Sequence, residues 1–69
     1  MTQNERILRH MRDYGGITSR EAFMEYGCTR LSARIKDLRE AGHSIHATRE
    51  TSLNRYGERV SFARYTLAK

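Results

Sequence analysis

Between Tyr26 and Leu31 the chain has very little length in which to join two helices. Upstream, Thr18-Ser19-Arg20-Glu21 has the form of a capping box, in which a hydroxyl and a carboxylate each satisfy a free amide of a first helical turn. Ala22, Phe23 and Tyr26 follow as an apolar stripe that stops at Gly27. Downstream, Thr29 is placed to cap a further helix whose Leu31, Ile35 and Leu38 share one face before Gly42 offers an exit. Only Gly27 and Cys28 are left to make the turn.

A turn so tight between two capped helices is the helix-turn-helix arrangement. A third helix precedes the pair. Thr2-Gln3-Asn4-Glu5 is a second capping box, Ile7, Leu8, Met11 and Tyr14 recur at helical spacing, and Gly15-Gly16 ends the run, which predicts a helix over Gln3 to Tyr14. Ile17, between those glycines and the next cap, reads as an apolar plug or a stub of strand pairing with a later hairpin. After Gly42 the period changes to two: "SIHATRE" and "ERVSFARYTL" alternate, and "TSLNRYG" between them holds the turn formers Asn54 and Gly57. The tail therefore reads as a hairpin. An isolated hairpin is marginal in water, so one face, Ile45, Ala47, Ala63, Tyr65 and Leu67, is expected to pack on the helices. The expected fold is α+β, three helices followed by a two-stranded antiparallel β-hairpin, with residues 1–69 as one domain.

A chain of 69 residues buries only about 60% of the surface it exposes when unfolded, too little for a deep substrate cavity. Cys28 is the only cysteine, so neither a disulfide nor a multi-cysteine zinc site forms within one chain, which fits a reducing compartment. "MTQNERILRHMRD" is charged throughout and lacks the apolar run of a signal peptide, and no stretch approaches the roughly 18 apolar residues of a membrane span. The expectation is a soluble, cytoplasmic protein without membrane contact. Net charge is +5 and the pI about 10, which favours an anionic partner. Lys36 and Lys69 are the only lysines; all other cations are arginines, whose guanidinium groups suit bidentate contact with phosphate and guanine.

The stretch "GITSREAFMEYGCTRLSARIKDLREAGHSIHA", with Ile17-Thr18-Ser19 opening one helix and Arg30-Leu31-Ser32-Ala33-Arg34-Ile35 the next, resembles the small winged helix-turn-helix proteins common in phages and prophages. Leu38-Arg39 before Gly42, Ile45 in the strand and the closing "ARYTL" extend the resemblance over nearly the whole chain. It implies a duplex DNA-binding protein, a phage or prophage transcriptional regulator or excisionase-like accessory factor acting in a bacterial host cell. One position departs from the pattern. Phe23 stands four places before the turn glycine, where many such sequences have a small residue, and Ala22 stands just before it, so the helix crossing is expected to shift.

With Leu31, Ile35 and Leu38 turned inward at about 100° per residue, Thr29, Ala33, Lys36, Asp37 and Glu40 face outward, flanked by Arg30, Ser32, Arg34 and Arg39. The first half of this surface is small or cationic, as expected of a recognition helix, about 29–41, whose N-terminal part enters a major groove about 12 Å wide. The DNA-binding candidates there are Thr29, Arg30, Ser32, Ala33, Arg34 and Lys36, with Arg30 placed for bidentate contact with guanine. Asp37 and Glu40 are expected to pair along the helix with Arg30, Arg34 or Lys36. Ser19 and Arg20, at a helix start that favours phosphate, are backbone candidates. Asn54, Arg55 and Arg59 are candidates of the wing, about 51–59, on the adjacent groove or backbone. Arg6, Arg9 and Arg12 on the first helix form either a phosphate-facing ridge or an ordinary solvated flank.

No enzyme is expected. His43 and His46 belong to an extended segment and His10 to a separate helix, without a carboxylate at ligand spacing, so neither metal nor cofactor is anticipated, and Cys28 reads as a half-buried turn residue rather than a nucleophile. Specific binding by so small a module calls for a homodimer or a cooperative array on repeated half-sites. Mixed charge on the third helix leaves open an alternative: a protein-interaction winged helix that docks on a host or phage protein as an antirepressor or an inhibitor of a host nucleic-acid enzyme.

Overall fold

A computed structural model of the chain describes residues 1–68; Lys69 lies outside them. Both capping boxes form. Helix α1 (Gln3–Tyr14) opens with the Glu5 amide donating to Thr2 Oγ1 at 3.2 Å while the Thr2 amide donates to Glu5 Oε1 at 3.1 Å. Helix α2 (Ser19–Tyr26) repeats the exchange between Thr18 and Glu21 at 2.9 and 3.2 Å. Each box satisfies two amides that a helix start leaves unpaired.

Helix α3 (Leu31–Glu40) departs from expectation at its start. Thr29 does not cap it. Arg30 is the cap residue, its carbonyl accepting from the amides of Ala33 and Arg34 at 3.2 and 3.3 Å, with no side-chain cap bond. The physical cause lies in the core: Cys28 and Leu31 are both buried, and the Cys28 amide donates to the Ala22 carbonyl at 3.1 Å. Seating both side chains takes Thr29 into the bend, so the turn occupies four residues rather than two. At the far end the His43 amide reaches back to the Leu38 carbonyl at 3.1 Å and stops the helix.

Three strands are arranged in the order β1-β3-β2, where the expected hairpin has two: β1 (Ile17–Thr18), β2 (Ile45–Leu53) and β3 (Arg59–Leu67). Ile17 pairs with Tyr65 and Thr18 with Arg64, both antiparallel. Of the two readings of Ile17, the strand stub is the one that forms, because the outer edge of β3 is free and Gly16 lets the backbones come close. The hairpin runs in register from Ile45 opposite Leu67 to Leu53 opposite Arg59. Strand β2 extends further toward the tip than the alternating pattern indicates.

The core gathers Ile7, Met11, Ile17, Ala22, Cys28, Leu31, Ile35, Leu38 and Ile45, with Leu8, Tyr26, Tyr65 and Leu67 packed against it. Three expected inward positions, Tyr14, Phe23 and Ala47, are exposed. Tyr14 is 76% exposed, since α1 ends there, and His10 is the buried member of that face. Ala47 is exposed because β2 is the outer strand and loses its cover after Ile45 while β3 stays half-buried as far as Phe62, and the hairpin draws the molecule out to 39 × 24 × 20 Å. Ala22 is fully buried and Phe23 is 55% exposed, so the small residue at the crowded position of α2 is the one just before Phe23. No helix among the described residues is long and apolar enough to cross a membrane.

Candidate nucleic-acid interface

On α3 the buried set is Leu31, Ile35 and Leu38, and this places Ser32, Lys36, Arg39 and Glu40 in solvent with Ala33, Arg34 and Asp37 half-buried. Thr29 and Arg30 are exposed just before the helix. Charges then sort themselves. Arg34 Nη2 lies 3.2 Å from Asp37 Oδ2, one turn away, and Arg39 Nη2 donates to the Ile45 carbonyl at 3.0 Å, tying the end of α3 to the start of β2. Among the described residues no carboxylate lies within 4 Å of Arg30 or Lys36. The acidic residue nearest the middle of the outward face is thus matched inside the helix by Arg34. Arg30 and Lys36 are the cations of that face left for a partner.

At the start of α2, Ser19 and Arg20 are exposed and Arg20 has no acidic partner among the described residues. Beside them sits Arg64, a residue the sequence pattern did not single out. Arg64 Nη1 lies 3.4 Å from Glu21 Oε1 of the α2 capping box, and its Nε donates to Glu50 Oε1 on β2. The Glu50 hydrogen bond chiefly, and the Glu21 charge after it, hold the guanidinium above its ordinary pKa against the effect of burial. Arg64 therefore joins helix, β1 and hairpin at one point. The only clue in the sequence is its alternation with Phe62 and Thr66, and that clue acquires meaning only once β1 is known to pair with β3.

The wing tip is the segment 54–58. Asn54 Oδ1 accepts from the amides of Tyr56 at 2.9 Å and Glu58 at 3.0 Å, and Asn54 Nδ2 donates to Glu58 Oε1 at 3.3 Å. The Asn54 side chain is thus committed to the turn itself. Arg55 and Arg59 are exposed, with no carboxylate within 4 Å among the described residues, while Arg49 donates to Ser61 Oγ at 3.1 Å.

Ser19 and Arg20 on α2 and Asn54 on the wing, far apart in sequence, line one groove of about 690 Å³. Its apolar wall is Met24, Leu53, Val60 and Phe62. The recognition-helix candidates do not line it. No local pattern in the chain signals this groove, because it forms only when the long hairpin folds alongside α2. On α1, Arg9 and Arg12 both approach Asp13, at 3.4 and 3.6 Å, while Arg6 makes no ion pair among the described residues. No group of three or more His, Cys, Asp or Glu side chains among the described residues is close enough to hold a metal ion.

A family model described as a winged helix-turn-helix domain matches residues 2–69. No curated protein matches the chain, and neither does any solved structure.

Proposed function

The chain belongs to the winged helix-turn-helix domain family, a family of DNA-binding modules, and from that premise we propose that it binds specific duplex DNA sequences with the first half of α3. The observation that carries this reading is the sorting of charge on that helix: Asp37 is matched by Arg34, and Arg30 and Lys36 are left without acidic partners beside the small Ser32 and Ala33. Arg30 reads a base edge, Ser32 and Ala33 let the backbone approach, and Lys36 takes a phosphate. Thr29 adjoins them at the mouth of the turn. Arg34 acts by holding Asp37 away from the DNA. Ser19 and Arg20 meet a phosphate, and the wing, with Arg55 and Arg59 presented by the turn that Asn54 closes, tracks the adjacent groove.

Residues 1–69 act as one non-enzymatic module in this reading, a transcriptional regulator or excisionase-like accessory factor of phage or prophage type working in the bacterial cytoplasm. Its resemblance to small phage proteins and its size support that assignment. A single module covers about 600 to 1,000 Å² on DNA, which favours a homodimer or cooperative array. Selection of bound duplexes from a randomised pool tests specificity: an enriched motif that loses preference at one base pair in Arg30→Ala supports the reading. A pool that emerges unenriched counts against it.

A second reading, an antirepressor or inhibitor that docks on another protein, draws its support from the exposed Met24, Leu53 and Val60 along the α2 groove. Co-purification of one stoichiometric partner that survives nuclease treatment and is lost in Met24→Glu favours it.

A further inference from the structure

The wing is longer than its packing requires. Past Glu50 of β2 and Phe62 of β3 no residue of the hairpin strands is even half-buried, yet the strands continue to Leu53 and Arg59, about 10 Å further at roughly 3.3 Å per residue. They end in a turn held by the Asn54 side chain, by the Asn54 amide donating to the Glu58 carbonyl at 3.0 Å, and by the Gly57 amide donating to the Asn54 carbonyl at 3.0 Å. Two features stand on this well-fixed tip. Arg55 and Arg59 have no acidic partner among the described residues, and the tip's carboxylate, Glu58, accepts from Asn54. Between them Tyr56 is 78% exposed, more than any other large hydrophobic residue described, and Leu53, 68% exposed, stands at the base of the turn.

We propose that the wing tip is a DNA-deforming wedge: Tyr56 inserts its ring against a base step in the minor groove while Arg55 and Arg59 hold the flanking phosphates, so that binding bends the duplex. The inference rests on the duplex-binding reading above and adds an activity to it. A minor groove about 6 Å wide admits a narrow turn. Arginines are drawn into it where it narrows, and pyrimidine–purine steps unstack readily. An apolar side chain pressed between such base pairs kinks the duplex by about 20 to 90° toward the major groove. A floppy loop would lose ordering entropy on insertion; the Asn54-braced turn has already lost most of it. The ring, rather than the hydroxyl, makes the wedge.

The test uses the full chain and ligase-catalysed circularisation of a mixed-sequence duplex shorter than the persistence length of about 150 base pairs, which closes slowly unaided. Anisotropy on the same duplex measures binding separately. Wild type is expected to raise the circularisation rate on the order of tenfold at saturation, as a kink shortens the elastic arc to be closed. Tyr56→Phe should retain the effect. Tyr56→Ala should lose it while its affinity stays within about threefold, most of the affinity coming from phosphate contacts. Wild type that binds without accelerating closure, or Tyr56→Ala that accelerates it equally, overturns the wedge and leaves duplex binding standing. No binding at low salt overturns the duplex reading and the wedge with it.

Discussion

The Tyr26 hydroxyl lies 2.8 Å from His10 Nδ1, across the gap between the last residue of α2 and the buried face of α1. The two rings meet edge to face with centroids 5.5 Å apart. Burial, and then the charge of Glu25, push the Tyr26 phenol above its ordinary pKa. The phenol donates to Nδ1 or accepts from it according to the His10 tautomer. Tyr26→Phe keeps the ring and leaves a nearly buried imidazole nitrogen without its partner, a loss of about 1 to 3 kcal/mol. In a domain this size each kcal/mol moves Tm by roughly 4 to 8 °C. Thermal melts at neutral pH check it, and an unshifted Tm contradicts it.

Gly15 and Gly16 are adjacent but are glycines for different reasons. Gly15 takes φ +85 to leave α1 and meets nothing with an added Cβ, whereas at Gly16 a Cβ would stand 3.1 Å from Thr66 Cγ2 and 3.2 Å from the Tyr65 carbonyl oxygen on β3. Gly16→Ala should cost about 1 to 3 kcal/mol through crowding, and Gly16→Asn at least as much. Gly15→Ala should cost about 1 to 2 kcal/mol, much of it recovered in Gly15→Asn, because asparagine tolerates the left-handed conformation. Urea titration of the four variants separates the two causes; equal behaviour of the two asparagine variants contradicts the distinction.

Arg64 is the one side chain, among the described residues, that pairs with acidic groups of both α2 and β2. Its side chain is a third exposed, which limits its worth, so Arg64→Met should cost about 1 kcal/mol, less at high salt. The more telling signature is local. Amide exchange should quicken in β1 and the first turn of α2 while α3 is unaffected, and uniform acceleration would show that Arg64 acts only on global stability.

Glu5 lies below the ordinary glutamate pKa, chiefly because its carboxylate accepts the Thr2 amide and then because of the Thr2 side chain. A carboxyl whose pKa is lowered on folding stabilises above its unfolded value, and that contribution is lost as pH falls through the lowered folded value. Helix α1 should therefore fray at its first turn as pH drops into the acid range. Glu5→Gln, which accepts the same bond without titrating, should show a flatter acid limb in the α1 amide shifts by NMR. Parallel limbs in the two proteins contradict this.

Much of the fold is legible in the residues. Thr2-x-x-Glu5 and Thr18-x-x-Glu21 announce two helix starts because a capping box is a local exchange of hydrogen bonds. Leu31, Ile35 and Leu38 announce the buried face of α3 because helical periodicity needs only one chain segment. The features left open, and those where the expectation fails, depend on distant partners. Thr29 has the chemistry of a cap and loses that role to the burial of Cys28 and Leu31. Ile17 becomes a strand only because β3 offers an edge, and His10 takes the buried place of Tyr14 because Tyr26 meets it. For the candidate interface, alternation and charge pick out Arg30, Lys36, Arg55 and Arg59, and helical spacing offers Asp37 a choice of Arg30, Arg34 or Lys36; that Arg34 is the one it takes, that Arg39 is engaged by the Ile45 carbonyl and that Asn54 is engaged by its own turn depend on rotamers and caps that composition does not encode. The Arg64 junction and the α2 groove depend on strand register.

If the first half of α3 is a phosphate- and base-contacting face, its cations must show in the salt dependence of binding, since each neutralised phosphate contributes about −0.9 to the slope of log K against log salt. The decisive comparison is fluorescence anisotropy of a mixed-sequence duplex across a salt series, with Arg30→Ala/Lys36→Ala beside the wild type. The wild-type slope should be several units and should become shallower by about one to two in the double variant, with weaker binding throughout. Identical slopes and affinities in the two proteins, or no binding by wild type at low salt, would contradict a DNA-contacting role for α3.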